Sequence, residues 1–364
     1  AYPILSGLVG SEMCIRDRSK WFEAIKKECQ NVKENVGLLD MTAFAKCRIK
    51  GPGAEEFLDR LVANKLPKKV GRINLCHALN TKGGVHSEFT IMRESENSFY
   101  LVSAGAFQRL DHDWILKWMP NDGSVQFENL TNSNGVLVVS GPKARELMQR
   151  VSKDDFSNEN FKWLSSKMVD VGFAPVNAMR VNFVGELGWE LHHPIEYQNH
   201  IFDKLMEAGQ DLGIKPYGIR AMNSLRVEKS YKLVGTELSI EYSPYESGLD
   251  RFIHPNKGNF IGLEALNKWR EKGFANKLVT LEVHNTSDAD VLGNNPIYEN
   301  GTVVGRATGG DFGFRLGKSI ALGMVKPALA TTGQKLKIDI LGKMHDATIL
   351  DESPYDSENK LLRA

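Results

Sequence analysis

The residues most able to do chemistry in this chain lie in the segment 177–192, which reads NAMRVNFVGELGWELH. A period-two pattern over 176–184 predicts a strand, and Gly-Glu-Leu-Gly then interrupts it. If Trp189 and Glu190 resume a strand, their side chains point to opposite faces. Glycines around a carboxylate allow close approach, so a glutamate here could face a cleft. The alternative is a tight turn between two strands with a solvated glutamate.

A second carboxylate, Glu88, lies in a predicted hairpin. The segment 79–91 reads LNTKGGVHSEFTI, with a Gly-Gly turn and an acidic residue on the outgoing strand. Strand alternation places Glu88 on the face of His86 and Thr90, opposite the more apolar face of Val85, Ser87, Phe89 and Ile91. From the pattern alone, Glu88 could equally be an ordinary residue of a polar face.

Two internal segments resemble each other and indicate the fold. Residues 49–58 (IKGPGAEEFL) and 139–148 (VSGPKARELM) each read as strand, Gly-Pro and helix, with proline early in the helix. Two such units predict a duplicated α+β core rather than a doubly wound sheet. After about Gly273, short β-rich runs alternate with turns such as Asn300-Gly301, which predicts a small antiparallel barrel.

Composition narrows the class of protein. The 364 residues suit two or three domains, and 41% hydrophobic with 25% charged residues is ordinary for a globular protein. A net charge of +1 gives no reason to expect nucleic acid or an anionic membrane as partner. No apolar run approaches the roughly 20 residues that span a bilayer. The cysteines lack CxxC spacing, so we expect free thiols in a reducing compartment, cytoplasmic or the mitochondrial matrix in a eukaryote: Cys14, Cys29, Cys47 and Cys76.

Several other patterns are not interpreted as sites. His192, His193 and His200 have no zinc spacing, so we expect solvated histidines and no metal. The glycine-rich run 309–313 is predicted to be a turn between barrel strands. The sequence has no strand–GxGxxG–helix unit, so it offers no usual site for a dinucleotide flavin.

The motif GELGWE at 185–190 resembles the fingerprint of the aminomethyltransferase family. That family includes the glycine cleavage T-protein and the folate-binding part of dimethylglycine and sarcosine dehydrogenases. The similarity runs from about Trp21 to the C-terminus, through VGLLDMTAFAK, GIRAMNSLRVEKSY, FIGLEAL and SPYDSENKLLR. Ala-Met-Asn at 221–223 replaces the Ala-Arg-Asp typical of T-proteins, which favours the dehydrogenase branch.

This resemblance implies a three-lobed fold with the barrel last and a central pocket for tetrahydrofolate. We expect a folate-binding domain at 19–268 and the barrel domain at 273–364. Residues 1–18 fit neither a signal peptide nor the family pattern, and we interpret them as a foreign or disordered segment. FAD would belong to a preceding module that this chain lacks.

The resemblance also implies roles for particular residues. Glu88 stands where the family usually has Asp, and would stabilise positive charge at the folate amines or take a proton from them. Glu190 would accept two adjacent N–H groups of the pterin. Phe183 could instead be a core aromatic, and Arg226 could belong to a structural salt bridge. The residues expected to bind the cofactor are Glu190, Phe183, Ser103, Leu75, Arg226 and Tyr355.

Three functions remain open. The first is a one-carbon transfer module that acts on folate and a small methylated amine or its iminium, as the C-terminal part of a dimethylglycine or sarcosine dehydrogenase-like protein, with a flavin domain as its possible partner. The second is a stand-alone aminomethyltransferase that acts with a carrier protein. The third is a folate-binding domain without catalysis.

Overall fold

A computed structural model describes residues 21–286 and 289–364. These residues form seven α-helices and seventeen β-strands. The helices are α1 (Phe22–Glu34), α2 (Ala54–Leu61), α3 (Gln108–Trp118), α4 (Ala144–Val151), α5 (Gln198–Ala208), α6 (Ile219–Glu228) and α7 (Leu263–Lys272). The strands are β1 (Val36–Asp40), β2 (Ala45–Lys50), β3 (Ile73–Leu79), β4 (Val85–Ser95), β5 (Ser98–Ser103), β6 (Gln126–Asn129), β7 (Asn134–Ser140), β8 (Ser166–Val171), β9 (Ala174–Met179), β10 (Gly188–Pro194), β11 (Ile214–Pro216), β12 (Lys277–Val283), β13 (Pro296–Glu299), β14 (Thr302–Gly313), β15 (Lys318–Val325), β16 (Lys335–Ile340) and β17 (Lys343–Leu350).

The first sheet has five antiparallel strands in the order β3-β4-β5-β2-β6. Helices α2 and α3 cover one of its faces, because their apolar stripes pack on alternate residues of the strands. Phe57 and Leu61 of α2 and Ile115 of α3 pack there with Phe89 and Leu101 of the sheet. This face is therefore closed by a hydrophobic core.

The second sheet has six strands in the order β11-β1-β7-β10-β9-β8, and among these pairings only β1–β11 is parallel. Helices α4 and α5 cover one face through Leu147, Met148, Ile201 and Leu205. Helices α1 and α6 pack on the opposite face, where Val138 joins their shared cluster. Helices thus pack on both faces of this sheet, whereas α2 and α3 cover one face of the five-stranded sheet.

The third part is a closed antiparallel barrel in the order β12-β15-β14-β13-β16-β17, as the sequence predicts. Asn300 and Gly301 form a tight turn with φ of 49° and 78°. The prediction of a turn at 309–313 is wrong, since these residues continue β14 to Gly313. Their pairing with β15 supplies the backbone hydrogen bonds that hold them extended.

The two predicted strand–helix units are present, as β2–α2 in one sheet and β7–α4 in the other. Gly51 and Gly141 hold equivalent positions, with φ of 120° and 130°, where a side chain would be strained. The prolines that follow precede the helices, which begin at Ala54 and Ala144, so the expectation of proline inside the first turn is wrong. The strand predicted over 176–184 also ends early, at Met179.

Candidate functional site

The face of the five-stranded sheet opposite α2 and α3 meets the face of the six-stranded sheet on which α1 and α6 also pack. Tyr100 of β5 and His192 of β10 form a hydrogen bond across this boundary, with 3.1 Å between the phenol oxygen and Nδ1. Met92 and Val102 of the five-stranded sheet pack nearby with Met179 of the six-stranded sheet. The two faces therefore meet along a boundary, which we call the inter-sheet region.

Glu190 enters this region because β10 alternates. Trp189 is fully buried among Phe156 and Phe161 on the helix-covered face, as expected of a core residue. Glu190 points to the other face, where its side chain keeps 11% of its surface exposed. Its Oε2 lies 3.2 Å from Nε2 of His192, its single hydrogen-bond partner among the residues that the structure describes. The other carboxylate oxygen has no hydrogen-bond partner among the described residues.

Glu88 lies on the opposing sheet, on the same face as Met92 by the alternation of β4. Its side chain is 22% exposed, and its Oε2 lies 2.8 Å from Nε2 of His77. His77 stands directly across the strand pair from Glu88 and is completely buried, with its ring 5.5 Å from that of Phe252. Each candidate carboxylate thus forms a hydrogen bond with a buried histidine on the same face of its sheet.

The turn of GELGWE is built around a different carboxylate, Glu186, which is only 2% exposed. The expectation of a solvated glutamate in this turn is therefore wrong. Arg315, at the start of the turn between β14 and β15, donates hydrogen bonds to Glu186, Glu228 and the carbonyl oxygen of Val184. Burial raises the pKa of both carboxyl groups, and the Arg315 charge opposes that rise. The barrel thereby fixes the turn that begins β10.

Two of the predicted cofactor-binding residues surround this ionic cluster. Tyr355 donates a hydrogen bond to Glu186 at 2.8 Å, and its ring centre lies 3.8 Å from the Arg315 guanidinium. Phe183 directly precedes Val184, and its ring lies 5.8 Å from that of Tyr231. Both rings are partly exposed, so they can still contact a ligand.

The other predicted residues are distributed unevenly. Leu75 of β3 is paired with Thr90 and lies on the Glu88 face, so it joins the inter-sheet region. Ser103 points to the helix-covered face, where its hydroxyl donates to Asp111 at 2.6 Å. Arg226 is 3% exposed and donates to Asn223, Glu237 and the carbonyl oxygen of Tyr231, which agrees with a structural role. The structure does not bring these last two together with Glu88 and Glu190.

Sequence reasoning missed the histidines that contact Glu88 and Glu190, and the arginine that contacts Glu186. His192 is two residues from Glu190, so strand alternation could have placed it on the same face. The expectation of solvated histidines is wrong here, because His192 and His193 are 3% and 1% exposed. His77 lies opposite Glu88, 11 residues away on the neighbouring strand, so hairpin register could have paired them, whereas Arg315 carried no local signal because its partners are distant in sequence.

Other features of the described residues bear on the earlier expectations. Within 21–286 and 289–364, no group of three or more His, Cys, Asp or Glu side chains could hold a metal ion. Over the same residues, no helix is both long and apolar enough to cross a membrane. The thiols of Cys29, Cys47 and Cys76 are free and buried. Residues 1–18, together with Cys14, lie outside the described part of the chain.

Several known proteins are similar to this chain in sequence or in fold. Human mitochondrial dimethylglycine dehydrogenase is 38% identical over 337 residues, which cover 92% of this chain but 39% of that protein. An aminomethyltransferase of Caldanaerobacter subterraneus is 31% identical, over 93% of this chain and 90% of its own length. The aminomethyltransferase T structure from Bartonella henselae superposes with a TM-score of 0.82 over 97% of both chains, at 20% identity.

Two family models divide the chain. The GCVT N-terminal domain matches residues 6–257, and the glycine cleavage T-protein C-terminal barrel domain matches residues 276–356. The predicted enzyme class and cofactor are confirmed with the family, whereas the individual site residues stay predictions. This chain belongs to the glycine cleavage T-protein family of tetrahydrofolate-dependent aminomethyltransferases.

Proposed function

We propose that this chain transfers one-carbon units to tetrahydrofolate as the C-terminal module of a dimethylglycine or sarcosine dehydrogenase-like protein. It spans 39% of the length of the mammalian dimethylglycine dehydrogenases that it resembles. A methylated amine, or the iminium formed from it, would be the donor. A flavin-bearing module would be the partner.

The observation that carries this proposal is the placement of the two carboxylates. Glu190 and Glu88 lie on the facing surfaces of two sheets, and each has one oxygen held by a histidine. A pterin presents adjacent N–H donors, so a carboxylate with an unengaged oxygen suits it. The rings of Phe183 and Tyr231 supply apolar surface for a flat heterocycle.

Tetrahydrofolate, when bound, supplies the nucleophilic nitrogens that take up the one-carbon unit. In the proposed site, Glu190 accepts hydrogen bonds from the pterin and fixes its orientation. Glu88 stabilises positive charge at the reacting amines, or takes the proton released there. His77 holds the Glu88 carboxylate in place during this change of charge.

The binding part of the proposal is tested by calorimetric titration of the whole chain with tetrahydrofolate. We expect a Kd in the micromolar range. The Glu190→Gln variant should bind about ten- to a hundredfold more weakly, since charge-assisted hydrogen bonds contribute roughly 1.5–3 kcal/mol. Glu264→Gln is the matched control, because Glu264 is an exposed residue of α7 paired with Lys268. Absence of tetrahydrofolate binding by the wild type would overturn the proposal.

Catalysis is tested with Glu88→Gln. We expect tetrahydrofolate affinity to stay within about threefold, while formation of methylenetetrahydrofolate from tetrahydrofolate and formaldehyde, above the uncatalysed rate, falls by about a hundredfold. The comparison separates a catalytic carboxylate from a binding one. An unchanged rate would leave Glu88 a spectator, whereas a wild-type chain that does not exceed the uncatalysed rate would favour a folate-binding domain without catalysis.

A stand-alone aminomethyltransferase is the second candidate. The similarity to the Caldanaerobacter aminomethyltransferase over 90% of its length favours it. Met222, at the position where T-proteins typically have arginine, argues against it. Ammonia release from an aminomethylated lipoyl carrier protein, at a rate that depends on this chain, would support this second function.

We also propose domain bounds of 19–268 and 273–364. A reducing compartment suits the three buried free thiols. In a eukaryote we propose the mitochondrial matrix, by similarity to the mitochondrial dimethylglycine dehydrogenases.

A further inference from the structure

Four polar side chains form a continuous hydrogen-bond chain that ends on Glu190. The Asn134 amide nitrogen lies 3.4 Å from the Tyr100 hydroxyl, and that hydroxyl lies 3.1 Å from Nδ1 of His192. Nε2 of His192 lies 3.2 Å from the Glu190 carboxylate. Tyr100 comes from the five-stranded sheet, whereas the other three come from the six-stranded sheet. This series of hydrogen bonds therefore crosses the inter-sheet region.

The direction of donation along this chain follows from its first member. The Asn134 side chain presents its amide nitrogen to Tyr100 and donates to the phenol oxygen. The single phenol hydrogen is then free to be donated to Nδ1 of His192. Burial raises the pKa of Tyr100, which keeps that hydrogen on the phenol.

The protonation of His192 follows in turn. With Nδ1 as an acceptor, the neutral imidazole carries its hydrogen on Nε2 and donates it to Glu190. The opposite tautomer would set an unprotonated nitrogen against an ionised carboxylate, with no hydrogen between them. This series of hydrogen bonds thus favours one tautomer of His192 and one rotamer of Glu190.

We propose that Tyr100 and His192 are positioning residues that hold the Glu190 carboxylate oriented for the folate pterin. This inference rests on the proposed function, because Glu190 is the proposed pterin acceptor. Tyr100 and His192 are 2% and 3% exposed, so they act through Glu190 rather than by contact with the ligand.

Tyr100→Phe removes the hydroxyl and keeps the ring. We expect it to weaken tetrahydrofolate binding about fivefold to twentyfold in calorimetry. In the Glu190→Gln background the same change should have less than a twofold effect, because there is no ionised carboxylate left to orient. Tyr197→Phe is the matched control, since Tyr197 is a partly buried aromatic residue that packs on Phe173 at the opposite face of the six-stranded sheet.

Nitrogen-15 NMR of the wild-type chain gives an independent readout. We expect His192 to carry its hydrogen on Nε2, and Tyr100→Phe to produce a mixture of tautomers. His192→Gln, which can still donate to Glu190, should retain more affinity than His192→Leu. These variants and the wild-type spectrum keep the test decisive if Tyr100→Phe does not fold.

Three results would overturn the positioning role while leaving the proposed function intact. These are wild-type affinity in Tyr100→Phe, an equal loss of affinity in the Glu190→Gln background, or a hydrogen on Nδ1 of His192 in the wild type. Absence of tetrahydrofolate binding by the wild type would instead overturn the proposed function, and this inference with it.

Discussion

At the scale of single residues, the carboxyl groups of this chain differ by what surrounds them. Glu88 and Glu190 keep partial exposure and one histidine partner each. Asp111 of α3 is 2% exposed and accepts hydrogen bonds from Ser87 and Ser103, directly behind the strands of the five-stranded sheet. A partly exposed carboxylate can therefore bind a ligand, whereas a fully buried one, such as Asp111, holds a helix against a sheet.

Asp111 should make the stability of the fold depend on pH. Burial raises the pKa of Asp111 to about 6, against 3.8 ordinarily, and its two serine partners only partly oppose this. Between these values the native state binds the proton more tightly than the unfolded chain, so stability falls as pH rises through this window. From pH 4.5 to 7, wild type should lose about 2 kcal/mol relative to Asp111→Asn, as measured by urea unfolding at each pH.

Because Asp311 has a similarly raised pKa, the comparison uses the difference between the two proteins rather than the wild type alone. A difference in unfolding free energy that stays constant between pH 4.5 and 7 would contradict the prediction. So would a wild type that gains stability relative to Asp111→Asn as pH rises.

At the scale of elements, the GELG turn is positioned by the barrel. Arg315 is fully buried and satisfies Glu186, Glu228 and two backbone carbonyl groups, while Lys229 donates to the C-terminal segment at Tyr355 and Asp356. These contacts join α6, β10 and the barrel at one point. The local sequence of β10 orients Glu190, but the barrel holds the turn from which β10 begins.

Removal of Arg315 should destabilise the protein strongly. Arg315→Met leaves Glu186 and Glu228 buried without their cation, which costs about 3–5 kcal/mol for a broken buried pair. Lys318→Met, which breaks the exposed pair with Glu282 directly after the same turn, should cost less than about 1 kcal/mol. Urea unfolding of both variants at pH 7 measures the two values. Equal effects would mean that the buried cluster does not hold the barrel to the turn.

At the scale of the whole molecule, two similarly built sheets meet across the inter-sheet region, and the barrel contacts α6 and the GELG turn. Each sheet contains a β-strand, a glycine in the left-handed region and a helix in the same order. This duplication produces two opposed surfaces from one pattern. A site between them needs residues from both.

The chain alone should not oxidise amines. Its sequence has no dinucleotide-binding fingerprint, and only β1 and β11 pair in parallel among the described strands. Incubation with added FAD, N,N-dimethylglycine and an artificial electron acceptor should give no reduction of the acceptor above a blank without the chain. Amine-dependent reduction would mean that this chain holds a flavin by another route. A flavoprotein amine oxidase serves as the positive control for the assay.

The sequence by itself determined the duplicated strand–helix units, the barrel and the family, but it misplaced the strand over 176–184 and the turn at 309–313. Period-two patterns, Gly-Pro turns and the GELGWE motif are local, and local backbone preferences set them. Strand alternation also placed Trp189 and Glu190 on opposite faces. These features do not depend on which distant segments meet.

Tertiary structure alone decided the long-range partners of the polar and ionisable groups. Tyr100 reaches His192 across two sheets, and Arg315 meets Glu186 from 129 residues away. Burial also decided which predicted site residues bind internal partners: Ser103 donates to Asp111, and Arg226 donates to Asn223, Glu237 and the backbone. Long-range contacts set both the dielectric surroundings and the hydrogen-bond partners, and no local pattern encodes them.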